Sequence, residues 1–191
     1  MARGLLPKSR DAQPDNKKTE KICAIRGKTK KLHEICTSNK ETKNMKINLK
    51  SGIDKLLFGM KQNDVTTVLG KPDKNYKDED DNVIFVYNSL KARLTFYEEE
   101  DLKFGYAVAS HQDLEVFSFK LIGRKIADVK KDLATKGITK FTQETFDTFE
   151  NYFNEDNWFI LQTEFDEVVK FEIGAIINDK DEFDWKFPVK K

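Results

Sequence analysis

Cysteine is scarce in this chain: 2 in 191 residues, Cys23 and Cys36. From Ser51 onward there is none, so that part of the chain cannot rest on disulfides or use a thiol nucleophile. Histidine is equally rare, with His33 near the start and His111 the only one after residue 50. No run of about 18 apolar residues exists, so no transmembrane helix is expected. The opening stretch holds only Leu5-Leu6 as an apolar pair. A secretory signal needs roughly 7–15 apolar residues in a row, so export by that route is not expected and the cytoplasm is the expected compartment. A glycine-rich phosphate loop, a zinc knuckle and a G-x-S-x-G elbow are all absent from the sequence.

Aromatic residues and charge are abundant. Aromatics make up 12 % of the chain, with 15 Phe, which is enough for a core although 35 % of residues are charged. The formal net charge of +1 conceals a division. Residues 1–50 carry 14 basic and 5 acidic side chains, and residues 51–191 carry 20 and 28, so a head of +9 precedes a body of −8.

The head, 1–50, is rich in Lys, Asn, Thr and Ser and has no sustained periodicity, so it reads as a basic, largely disordered extension. Ile22, Ile25, Leu32 and Ile35 would line one side of a short helix, but Gly27 interrupts it. Cys23, His33 and Cys36 give three potential zinc ligands without paired C-x2-C knuckles, and no metal site is expected. Lys28-Thr-Lys-Lys31 suits an electrostatic arm for nucleic acid or an anionic membrane, since a Lys-rich arm gains affinity by releasing counterions from phosphate. The plainer reading is a solvated tail, with the folded pattern and even the natural start at Met45.

The body carries an internal recurrence. Gly59, Asp64, Val65 and Leu69 match Gly123, Asp128, Val129 and Leu133 at a constant offset of 64 residues. Val65, Val68 and Leu69 fall on one helical face, and Gly70 with Pro72 stops that helix. Strand patterns follow each helix: 83–87, 92–96, 102–108 and 115–119 in the first half, then 148–153, 158–163 and 167–173 in the second. Asn88-Ser-Leu-Lys91 and Asn154-Glu-Asp-Asn157 read as hairpin turns. The expected class is α+β, with two tandem repeats of one helix followed by three to four antiparallel strands and the helices packed on the sheet. The halves would run over about 52–117 and 118–187 within a domain of 51–191.

The string Phe58-Gly-Met-x4-Val65-x3-Leu69-Gly-Lys-Pro72-Asp73 resembles the opening of helix–sheet repeats in the β-lactamase-inhibitor-protein-like fold and in related outer-membrane assembly lipoproteins. The resemblance covers roughly 52–177. The lipoproteins carry a lipidated cysteine and the secreted inhibitors carry disulfides, whereas this body has no cysteine. What the resemblance implies is a cytoplasmic tandem version, similar to an immunity protein that neutralises a toxin.

Two acidic runs stand between strand patterns: Asp78, Glu79, Asp80, Asp81, and Glu98, Glu99, Glu100, Asp101. Neither has the D-x-D-x-D-G spacing of a calcium loop. They read as solvated hairpin loops, as a docking patch for a basic partner, whose approach an acidic body would steer, or, least of the three, as a hard-cation site. Trp158 and Trp185 both read as core or core-edge, with an interface anchor as the alternative for Trp185. Ser110-His111-Gln-Asp113 is too compact in sequence for a catalytic triad, whose members come from separate elements. No catalytic residue, metal or cofactor is expected. The expected function is therefore protein binding, most concretely an immunity-like inhibitor of a basic toxin, with nucleic-acid association through residues 1–50 as the alternative.

Overall fold

The structure, a computed structural model, describes residues 45–188. The expectations for the basic head, including its short helix and the Cys23, His33 and Cys36 spacing, lie outside the described residues.

The chain begins with three short strands, β1 (Met45–Asn48), β2 (Gly52–Ile53) and β3 (Leu56–Leu57), and then helix α1 (Gln62–Leu69). Four strands follow: β4 (Lys74–Lys77), β5 (Val83–Tyr87), β6 (Ala92–Tyr97) and β7 (Lys103–Ala109). A link made of β8 (Leu114–Val116) and β9 (Phe119–Lys120) leads to helix α2 (Ile126–Ala134). Strands β10 (Thr142–Thr145), β11 (Glu150–Asn154), β12 (Phe159–Glu164) and β13 (Glu167–Gly174) complete the order.

The expected α+β class, two helix-plus-strand repeats with helices packed on the sheet, is corrected here. Strand accounts for 43 % and helix for 16 % of the fold, and the two α-helices span only 8 and 9 residues. The strands form two sheets, one of five in the order β3-β2-β1-β8-β9 and one of eight in the order β10-β11-β12-β13-β7-β6-β5-β4. The physical reason is that much of the strand content carries no hydrophobic alternation. Lys74–Lys77 and Thr142–Thr145 are edge strands with every residue exposed, so nothing in their sequence requires a buried face. The fourth strand expected around 115–119 also changes place: β8 pairs in parallel with β1 in the small sheet, Met45 opposite Leu114.

The large sheet is antiparallel throughout, and its order reads the same from either edge to the central β7–β13 pair. The 64-residue recurrence marks matching positions in α1 and α2 and in the glycines that lead into them, beside the starts of the two central strands. Gly59, at φ 99°, donates its N–H to Phe104 O at 2.9 Å, and Gly123, at φ 78°, donates to Val168 O at 2.8 Å. In both places a conformation that suits glycine lets the chain enter the sheet beside a strand start. Each flank also has a 3-10 turn, Asn88–Leu90 or Glu155–Asn157, closed by a left-handed residue, Lys91 or Trp158.

Burial follows the pleat. The row Phe85–Leu94–Ala107–Ile173–Phe159–Asn154 runs across six strands with every residue buried. The next row, Val86–Arg93–Val108–Glu172–Ile160–Phe153, is half-buried or exposed. The inner face joins the core built by Phe58, Phe96, Phe104, Phe171, Val65, Val129 and Leu133. Inward rings touch in chains, Phe58 to Phe104 at 5.1 Å and Phe159 to Phe171 at 5.3 Å between centroids. The alternation places a mixed aromatic and charged surface on the outer face of the large sheet.

Candidate functional site

The hairpin β4–β5 turns through Asp78–Asn82, and the hairpin β6–β7 turns through Glu98–Leu102. Because Val83 stands opposite Phe96, the two turns leave the sheet side by side at the same end. A direct link holds them: Asn82 Oδ1 accepts the backbone N–H of Glu98 at 3.0 Å. Within the first turn Asp78 Oδ1 accepts the N–H groups of Asp80 and Asn82, both at 3.0 Å. That is a turn closed by its own aspartate, which explains why this residue type sits there.

Three of the eight carboxylates have cationic partners. Asp81 pairs with Lys77 at 3.0 Å, Glu100 with Lys103 at 3.4 Å, and Asp101 receives the Lys61 ammonium on both its carboxylate and its carbonyl oxygen. The hydrogen bond from Lys61, with that ammonium's charge, holds the Asp101 carboxyl below the usual range. Glu79, Asp80, Glu98 and Glu99 form no ion pair among the described residues and point into solvent. Among those residues, no group of three or more His, Cys, Asp or Glu could hold a metal ion.

Trp185 belongs to the same end. Its ring stacks on Phe183 with centroids 4.8 Å apart, and Lys103 Nζ stands 5.0 Å from the ring centroid. Lys103 therefore links Trp185 to Glu100. Lys186 and Phe187 both donate their backbone N–H to Phe58 O, at 3.0 and 2.9 Å, and so tie this final segment to the start of the fold. All nine residues expected in a docking patch lie at the end of the large sheet where the β4–β5 and β6–β7 turns leave it. Trp185, however, is largely engaged with its own chain.

His111 accepts the Asp113 N–H on Nδ1 at 3.1 Å, and the Asp113 carboxylate turns to Lys120 at 2.8 Å. The hydrogen bond from Lys120 lowers the Asp113 pKa and raises that of Lys120. The cluster closes a local turn.

A second feature escaped the sequence reading. On the outer face, Tyr106, Glu144, Phe153, Trp158, Ile160 and Glu172 line a cleft of about 340 Å³. Trp158, read from sequence as core or core-edge, is 38 % exposed and stands edge-on to Phe153, with centroids 5.2 Å apart. The buried Asn154 positions it: Asn154 Oδ1 accepts the N–H of Asn157 at 3.1 Å and its Nδ2–H at 2.7 Å, while Asn154 Nδ2 donates to Lys140 O at 2.8 Å. That network closes the 3-10 turn that delivers Trp158. Tyr106 donates its hydroxyl to Glu172, whose other oxygen lies 3.3 Å from Lys170 Nζ. Burial, and then this bond to a carboxylate, push the Tyr106 pKa far up. Five strands and a turn contribute these residues, and no single sequence window contains them. The one local signal was a bulky Trp directly after a turn, where glycine or asparagine is usual.

No family model matches the chain, and no curated protein matches it. Among solved structures, it is similar to an extracellular protein containing a SCP domain from Bacillus anthracis str. Ames, at 15 % identity and a TM-score of 0.40. The match covers 86 % of this chain and 56 % of that one, so the chain spans little more than half that protein's length. No helix among the described residues is long and apolar enough to cross a membrane.

Proposed function

We propose that this chain is a protein-binding module that docks a basic partner against the acidic end built by Asp78–Asp81 and Glu98–Asp101. The observation that carries this reading is the joining of the two turns through Asn82 and Glu98, which leaves Glu79, Asp80, Glu98 and Glu99 without a cation of their own. Like charges held together on adjacent hairpins repel one another, and a cationic surface that covers them relieves that repulsion. In its most concrete form the partner is a basic toxin and the module is its immunity-like inhibitor in the cytoplasm. A body without cysteine needs no oxidising compartment, which supports that setting.

The test is quantitative capture from the source cells by the full chain and by a full-chain variant with Glu79, Asp80, Glu98 and Glu99 all changed to Lys. A single stoichiometric basic protein is expected. Its affinity should fall at least about tenfold in the variant, since each exposed charge pair is worth roughly 0.2–1 kcal/mol. Equal affinity of the two proteins would overturn the electrostatic reading. So would salt-sensitive nucleic-acid binding that disappears on deletion of residues 1–44 and ignores the four substitutions.

A further inference from the structure

The outer-face cleft is built at an energetic cost that packing alone does not explain. Trp158 sits at φ 52°, a left-handed conformation in which a bulky side chain is strained. The corresponding residue on the other flank is a lysine, Lys91 at φ 46°, so the turn does not call for an aromatic ring. The ring has been given room: a Cβ on Gly174 would stand 2.5 Å from Trp158 Cδ1, so the indole lies directly against bare backbone. Despite this arrangement the ring remains 38 % exposed.

The charges that line the cleft are acidic, while two cations, Lys170 and Arg93, stand just outside it beside Glu172 and Tyr106. Glu144 and Glu172 line the cleft, and no Lys or Arg does. Glu172 is fixed by the Tyr106 hydroxyl and already has an ammonium, that of Lys170, at 3.3 Å from its outer oxygen. The Glu144 carboxylate forms no hydrogen bond or ion pair among the described residues, although its backbone pairs with β11. Elsewhere the protein covers aromatic faces with its own cations. Lys103 stands 5.0 Å from the Trp185 centroid, and Lys130 stands 4.8 Å from that of Tyr152. Trp158 has no such partner among the described residues. Trp is the strongest cation-binding ring, and the Glu144 carboxylate at its margin supplies the counter-charge, with Glu172 sharing its own with Lys170.

From this geometry we infer that the cleft formed by Trp158, Phe153, Tyr106, Glu144 and Glu172 receives an arginine side chain of a partner protein. A guanidinium is planar, so it stacks on the indole while its N–H fork turns to a carboxylate, and it sheds water more readily than an ammonium. The cleft volume of about 340 Å³ falls in the range of small-ligand pockets. This site lies on the sheet face, apart from the acidic turns, and the inference does not depend on them.

The test uses the full chain with Trp185→Phe, which leaves Trp158 as the sole tryptophan. N-acetyl-arginine methylamide is titrated while Trp158 emission is followed, with the citrulline counterpart as an uncharged probe of the same shape. Saturable binding of the arginine probe is expected, with citrulline at least about tenfold weaker. Changing Glu144 and Glu172 together to Gln should weaken the arginine probe by a similar factor. Glutamine can still accept the Tyr106 hydroxyl, and unchanged circular dichroism would confirm an intact fold. Neutralising Glu79, Asp80, Glu98 and Glu99 should leave binding unchanged. A linear, unsaturated response, equal binding of citrulline, or loss of binding only in the turn variant would each overturn the assignment.

Discussion

Replacing Gly174 with alanine should destabilise the protein by about 1–2 kcal/mol, and the loss should depend on Trp158. The Cβ would stand 2.5 Å from Trp158 Cδ1, 2.8 Å from Nε1 and 3.2 Å from Tyr106 Cδ2. Carbon atoms in good contact sit roughly 3.5–4.0 Å apart, so the indole must retreat by about 1 Å or more. If the ring stays, the overpacking costs about 1–3 kcal/mol. If it swings out, the edge contact with Phe153 at 5.2 Å is lost, worth roughly 0.5–1.5 kcal/mol, together with the indole's packing on the sheet, worth about as much again. Alanine recovers about 0.5–1 kcal/mol by restricting the unfolded chain, which leaves the stated net loss. For a chain of this size the midpoint of thermal unfolding should drop by roughly 2–8 °C. The assay is urea unfolding of four full-length proteins: the parent, Gly174→Ala, Trp158→Asn and the double variant. Asparagine tolerates the left-handed conformation, so it removes the ring without replacing one strain by another. In the Trp158→Asn background the alanine should be neutral or mildly stabilising, giving a coupling of about 1–3 kcal/mol. An alanine effect within 0.5 kcal/mol of zero in the parent, or the same loss in both backgrounds, would refute the claim that Gly174 exists to seat the ring.

Two further outcomes follow from the sheet and its tyrosines. Leu161→Ala, at a fully buried inward position of β12, should cost about 2–5 kcal/mol, and Ile160→Ala, its outward neighbour, less than half as much; equal losses in denaturant unfolding would contradict the assignment of faces. Burial, together with a hydroxyl that donates to Glu150 at 2.8 Å, pushes the Tyr152 pKa up to about 12, against about 10 in the unfolded chain. The unfolded state therefore releases its proton first, so this contribution is intact below pH 10 and is lost as pH rises toward 12. Unfolding midpoints measured across that window should fall less steeply for Tyr152→Phe than for the parent, and parallel curves would contradict the shift.

The elements that the sequence revealed are those whose side chains alternate with the pleat. Ala92–Tyr97 and Glu167–Gly174 announce themselves because Leu94, Phe96, Phe171 and Ile173 must be buried while Arg93, Thr95, Lys170 and Glu172 need not be. The helix at Gln62–Leu69 was legible from Val65 and from the stop at Gly70, whose N–H returns to Thr66 O at 2.8 Å. Lys74–Lys77 and Thr142–Thr145 were not legible, because an edge strand with no buried residue satisfies its backbone by pairing alone and asks nothing of its side chains. That hidden strand content turned an expected α+β class into a predominantly β one.

The candidate sites divide along the same physical line. Local sequence placed Asp78–Asp81 and Glu98–Asp101 in turns, since polar residues between alternating segments have no core to enter. Only the pairing of β5 with β6 decided that the two turns stand together, through Val83 opposite Phe96 and the bond from Glu98 N–H to Asn82. The aromatic cleft depends wholly on tertiary structure. Tyr106, Glu144, Trp158 and Glu172 are separated along the chain by up to 66 residues and meet because β7, β13, β12, β11 and β10 are successive neighbours in the sheet. Sequence alone determines which side chains avoid water, because that preference belongs to each residue. Which exposed side chains share a surface is set by strand register, a property of the paired backbone that no single segment carries.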